Sequence, residues 1–169
     1  MGDLAAQAVD ALVRPIRSDL APVSAASRDI GLAAGEELEQ RLSKLGALPI
    51  GSAVLTPSGR LAASFLIHVV VMSEEEPQTS FSVQRALRNG LRRATDWGLA
   101  SLALPPLGLS VGTIEPEASA RALVEILFNH LDEGAAPLDL TIVVASDFEA
   151  SLFAGLVEEM SRTRTSLRN

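Results

Sequence analysis

Side chains of the types that carry out chemistry are few in this sequence. Two histidines, His68 and His130, are the only imidazoles, and the 169 residues include no Cys and no Tyr. Thiol nucleophiles, Cys-ligated zinc, iron–sulfur clusters and disulfides are therefore excluded. The Lys-bearing phosphate loop, the dinucleotide-binding glycine fingerprint and the Ser nucleophile elbow are also missing. What remains suits an anion. Arg14, Arg17 and Arg28 offer guanidinium forks that match phosphate or carboxylate, although the same residues could solvate a surface loop or pair with Asp19 and Asp29. Gly108-Leu109-Ser110-Val111-Gly112 follows an apolar run and Pro105-Pro106-Leu107, at a strand end where ligands gather in open α/β sheets. His68, inside an apolar run, reads as structural, and His130, near a helix C-terminus, reads as a surface residue compatible with the helix dipole.

The elements that position these residues follow from hydrophobic periodicity. Val9 to Val13 predicts a strand, followed by an irregular segment Arg14 to Asp19 and a long loop containing Pro22. Ile30, Ala33, Ala34, Leu38, Leu42 and Leu45 share a helical face, which predicts one helix from Asp29 to Leu45, with Ser27 as a cap and Gly46 as its stop. Ala53 to Thr56 and Phe65 to Met72 predict a hairpin around Pro57-Ser58-Gly59. A solvated loop with Glu74-Glu75-Glu76 leads to a helix from Ser80 to Trp97, whose Arg85, Arg88 and Arg92 share an exposed face. Next come a strand Ala100 to Leu104, a helix from Pro116 to about Leu131, a strand Leu138 to Ala145 and a helix from the capping-box spacing Ser146 to Glu149 as far as Met160. The expected architecture is a three-layer α/β/α domain with a mixed central sheet. It spans residues 1–160, and 161–169 forms a polar, frayed tail.

Composition bounds the function classes. With 47% hydrophobic residues the chain supports one well-developed core. A net charge of −7 and a pI near 4.8 argue against nonspecific adhesion to nucleic acid or anionic membrane. Aromatic content of 4% leaves no material for a base-stacking platform, and nucleic acid is not expected as a partner. No apolar run approaches the ~20 residues of a membrane span, and no secretory leader is visible, so a cytoplasmic location is expected.

The order and spacing of several blocks resemble the macro domain, an α/β family whose members bind ADP-ribose and related nucleotides and in some cases hydrolyse ADP-ribosyl linkages. Gly2-Asp3-Leu4 and Val9-Asp10-Ala11-Leu12-Val13 are similar to the family's Gly-Asp-Ile-Thr and Val-Asp-Ala-Ile-Val. Ala33-Ala34-Gly35-Glu36-Glu37-Leu38 resembles Ala-Ala-Gly-Pro-Glu-Leu, and Phe65-Leu66-Ile67-His68 resembles Tyr-Val-Ile-His. Trp97-Gly98-Leu99 through Leu104-Pro105-Pro106-Leu107-Gly108 is similar to the stretch leading into the family's second phosphate loop. The resemblance makes Asp3, with Leu4, the adenine-reading position, against a plain reading of Asp3 as a solvated terminal carboxylate.

At the functional positions the chain departs from the family. Arg14-Pro15-Ile16-Arg17 stands where the resemblance places Asn-Ala-Ala-Asn, and Pro22-Val23-Ser24-Ala25-Ala26 where it places a glycine-rich loop. The acidic residue of hydrolytic members falls at Ser27, and the second phosphate loop keeps Gly108 and Gly112 but has Ser110 between them. The family strand before Gly-Asp has no counterpart here, since only Met1 precedes Gly2. Either Leu140 to Val144 is left as an apolar sheet edge, open to self-association or a protein partner, or the native start lies upstream. The expected function is a non-catalytic, divergent module that binds a nucleotide, an ADP-ribose-like molecule or a smaller anion weakly if at all, with no cofactor and no metal. Two alternatives stand beside it: a structural interaction subunit with a vestigial pocket, and a hydrolase using atypical residues.

Overall fold

The computed structural model describes residues 1–109 and 115–168. Five strands, β1 (Ala11–Arg17), β2 (Ala53–Pro57), β3 (Phe65–Met72), β4 (Ser101–Leu104) and β5 (Asp139–Ile142), form one sheet in the order β2-β3-β1-β4-β5. β3, β1, β4 and β5 run parallel, and β2 is antiparallel to β3, so the sheet is mixed. Helices α1 (Ala25–Ala34) and α2 (Glu36–Ser43) cover one face, and α3 (Ser80–Asp96), α4 (Pro116–Glu133) and α5 (Asp147–Arg168) belong to the other. The expected three-layer α/β/α architecture is the one observed. No described helix is long and apolar enough to cross a membrane.

Strand alternation sends each side chain to its layer. Leu12, Leu66 and Ala103 pack with Ile30, Leu38 and Leu42 beneath α1 and α2. On the other face Val13, Ile67, Val69, Leu102 and Leu104 meet Leu87, Leu91, Leu123, Leu127 and Phe153. Each fully buried Leu or Val in these layers contributes roughly 1.5–3 kcal/mol, and the α3–α5 side holds the larger set.

Five local expectations are corrected. The segment read as irregular after Val13 is strand: β1 continues through Arg14, Pro15 and Ile16 to Arg17. Pro15 is tolerated because β4 pairs with β1 only at Ala11 and Leu12, so no β4 ladder bond is demanded at the proline nitrogen. The single helix predicted from Asp29 to Leu45 is two helices, broken at Gly35, whose φ of +100° lies outside helical geometry. Its cap is Ser24, whose Oγ accepts from the Ser27 N–H at 3.2 Å, not Ser27. α5 does not stop at Met160 but continues to Arg168, held by Arg164, which donates to Asp132 at 2.7 Å and to Asn129 at 2.9 Å and lies over the Phe128 ring. His130 is buried, with its Nε2 donating to the Pro137 carbonyl at 3.0 Å, and is not a surface residue.

Candidate functional site

The chain enters the sheet centre at β1, leaves to β3 on one side and returns to β4 and β5 on the other. Such a reversal leaves a crevice beyond the carboxyl ends of the parallel strands. A cleft of about 430 Å3 lies there, within the range of small-molecule sites. Pro15 of β1, Pro105 to Gly108 after β4 and Val143 to Ala145 after β5 form its base. Val23 to Ala26 and Asp29, together with the N-terminal turn from Gly2 to Ala5, line its sides.

The N-terminal turn is fastened. Asp3 Oδ1 accepts from the Ala5 N–H at 2.9 Å, capping a 3-10 turn over Leu4–Ala6, and the Gly2 N–H donates to the Val144 carbonyl at 3.3 Å. Asp3 thus borders the cleft as a held residue. Leu4 is buried beside it against the α1 layer. At the start of α1 the first backbone bond is Arg28 N–H to Ser24 C=O at 3.0 Å. The N–H groups of Ala25 and Ala26 therefore have no acceptor within the helix and, with the helix dipole, favour negative charge. Gly108, at φ +88°, brings the loop after β4 close to α4, where a Cβ would stand 2.4 Å from Ser119 Oγ.

The carboxylates around the cleft are already engaged or exposed. Glu149 accepts from the Ala145 N–H at 2.8 Å while its own N–H donates to Ser146 Oγ at 3.2 Å, closing the start of α5. The Asp29 side chain is 70% exposed and lies 3.9 Å from Arg28. Ser27, which the sequence resemblance sets at the position of the family's hydrolytic acid, is buried, and its Oγ donates to the Pro15 carbonyl at 2.5 Å.

Of the anticipated site residues, the structure brings Asp3, Leu4 and Gly108 to the cleft. Leu109 packs instead against the larger core. Ser110, Val111 and Gly112 lie outside the described residues. None of the three arginines lines the cleft. Arg14 is buried beneath α1, its Nε donating to the Ser27 carbonyl at 2.8 Å and its Nη2 3.6 Å from Glu39. Arg17 forks onto Asp19, and Arg28 pairs with Asp29 on the exposed side of α1. Asp29, Gln78 and Glu149 were missed as cleft residues. Gln78 is buried, although its place after the acidic triplet marks it as loop, and only its lack of charge sets it apart from that solvated run.

The start of α1 and the Asp3-bearing turn both line this crevice at the switch point of an open α/β sheet. The macro domain family model matches residues 14–123, and the chain belongs to that family. It is 37% identical over 92 residues to an uncharacterized protein of Aquifex aeolicus, an alignment covering 54% of this chain and 56% of that protein. The chain therefore aligns with little more than half the length of that relative. It is 28% identical over 164 residues to a protein of Escherichia fergusonii named O-acetyl-ADP-ribose deacetylase, covering 94% of this chain and 93% of that one. Among solved structures, a Trypanosoma brucei macrodomain in complex with ADP-ribose superposes with a TM-score of 0.83 at 19% identity, over 92% of this chain and 66% of that one. At that identity the likeness is one of fold.

Proposed function

We propose that this protein binds a nucleotide of the ADP-ribose class, or a smaller anion, in the cleft beyond β1, β4 and β5, and does not transform it. The observation that carries this reading is the open cleft itself, lined by Asp3 and by the start of α1, whose first N–H groups have no acceptor within the helix. A diphosphate fits the α1 end, and an adenine amino group suits the carboxylate of Asp3, whose Oδ2 is not used by the Ala5 N–H. Against catalysis stands Ser27, which is buried, committed to the Pro15 carbonyl and unable to orient water as a carboxylate would.

Calorimetric titration with ADP-ribose tests the binding. The expected Kd lies between about 1 μM and 1 mM, or about −8 to −4 kcal/mol. Absence of heat, together with no rise in Tm at millimolar ligand, would overturn it. Incubation with O-acetyl-ADP-ribose tests the second half, and the expected result is intact ligand; release of acetate would make the protein a hydrolase with atypical residues.

One observation favours a second reading, association through the sheet edge. β5 is an edge strand, and Asp139 and Val143 give their N–H groups inward to Ala100 and Leu104. By alternation Leu140 and Ile142 turn their backbone groups outward, beside an apolar groove lined by Phe128, Leu131 and Val157. Leu138 and Phe148, both well exposed, flank the strand. A dimer mass in solution that falls to monomer in Thr141→Lys supports this reading, and a monomer at all concentrations rejects self-association.

A further inference from the structure

The sheet has a second free edge, far from the nucleotide-type cleft. β2 pairs with β3 alone, and its outer side runs between the end of α2 and the length of α3. A groove of about 730 Å3 follows it, floored by Val54 to Pro57 and walled by Arg41 and Lys44 from the α2 side and by Arg93 and Trp97 from α3. Every fourth residue of α3 is laid along this edge. Arg85 packs on Gly51, Asn89 Nδ2 donates to the Gly51 carbonyl at 2.6 Å, Arg93 Nε donates to the Ala53 carbonyl at 3.2 Å, and Trp97 leans on Phe65 with ring centroids 5.7 Å apart. The outward carbonyl of Ala53 fixes the alternation, so Leu55 is the next position to turn its N–H and C=O toward the groove. Pro57 closes the edge, since it has no N–H to offer.

The charge distribution gives the groove a sign. The protein carries −7, yet Arg41, Lys44 and Arg93 line the groove, and Lys44 and Arg93 enter no ion pair among the described residues. Arg85, Arg88 and Arg92 lie further along α3, outside the groove lining. Glu37 is the one carboxylate on the groove wall, and it is taken up by Arg41 at 3.2 Å.

We propose that this groove docks an extended, acidic peptide segment, whose backbone pairs with Leu55 at the β2 edge and whose carboxylates meet Lys44 and Arg93. An open strand position over an aliphatic floor matches a polypeptide, which sends alternate side chains to the two walls. The net charge of −7 disfavours a longer polyanion such as nucleic acid.

Trp97 is the single tryptophan and is 60% exposed, so its emission reports this groove directly. The probe is an acetylated octapeptide of alternating Asp and Leu. It is expected to shift the Trp97 emission saturably, with affinity falling about tenfold between roughly 50 and 500 mM salt as screening shortens. Lys44→Glu and Arg93→Glu are each expected to weaken binding about tenfold, while Arg28→Glu, the same charge change on exposed α1, leaves it unaltered; circular dichroism checks that all three are folded. ADP-ribose is expected not to compete, which keeps this result independent of the cleft. No saturable shift up to millimolar peptide, an equal response to alternating Lys and Leu, or tighter binding of an octadeoxyadenylate would each overturn the proposal, the last in favour of nucleic acid.

Discussion

Arg14 of β1 stands directly across from His68 of β3 in the parallel ladder, and both side chains are buried under α1 and α2 rather than facing the cleft. His68 Nε2 meets Thr56 Oγ1 at 2.9 Å, and Arg14 reaches Ser27 and Glu39. The cation and the imidazole are held by the fold, not by a ligand.

Burial, reinforced by the Arg14 charge, pushes the His68 pKa down to about 3 from 6.5. The folded protein thus keeps the ring neutral where the unfolded chain already binds a proton, and stability falls as pH drops from 6.5 toward 3. Between pH 7 and pH 5 the expected loss from this group is about 2 kcal/mol. Urea midpoints at the two pH values measure it. His68→Met, which does not titrate, should lose about 2 kcal/mol less over that interval, and an unchanged slope would remove His68 as the cause.

Arg14→Met separates structure from binding. The Ser27 carbonyl loses its donor, costing about 1–3 kcal/mol of stability. Because Arg14 does not line the cleft, ADP-ribose affinity should stay within about twofold, whereas a tenfold loss by calorimetry would return Arg14 to the ligand. The same variant removes the smaller of the two causes that depress His68, so the loss of stability on acidification should level off at a higher pH.

These residues also show how far the sequence could be read. The apolar runs at Phe65 to Met72 and the helical stripe from Val83 to Ala94 state their own geometry, and the structure places β3 at Phe65–Met72 and α3 at Ser80–Asp96. The α1–α2 break was hidden because Ile30, Ala34, Leu38 and Leu42 keep one apolar face across it. A Gly within a helical pattern costs little, and only the tertiary contact of Arg60 with Gly35 shows why the chain turns there. Arg14 misled for the opposite reason. A buried arginine has the same letter as an exposed one, and Ser27, Gly31 and Glu39, the residues around it, are 13 or more positions away and meet it only through α1 and α2.

Ser27→Asp tests whether a carboxylate at this position confers hydrolysis. The Ser27 hydroxyl donates to the Pro15 carbonyl in a buried site. A carboxylate there would face that carbonyl with no proton to give, so the variant should lose about 2–4 kcal/mol and gain no deacetylase activity. Thermal unfolding and an acetate-release assay read the two effects. Activity without destabilisation would show that the position faces the cleft and that the non-catalytic reading is wrong.

Gly108 joins the fold to the cleft most directly. Its φ of +88° is disfavoured for any residue with a Cβ, and an added methyl would meet Ser119 Oγ, which donates to the Leu107 carbonyl at 3.0 Å. Gly108→Ala combines a backbone cost of about 1–2 kcal/mol with loss of that buried hydrogen bond, for about 2–4 kcal/mol in all. ADP-ribose affinity should fall at least about fivefold, since the loop opposite α1 must shift. Adding Ser119→Ala removes the clash but leaves the backbone cost, so Tm should recover in part. If affinity returns with it, the clash had displaced the loop; if affinity stays low while Tm recovers, the left-handed geometry at Gly108 is what the ligand needs. Full affinity in Gly108→Ala alone would show that the loop after β4 does not contact the ligand.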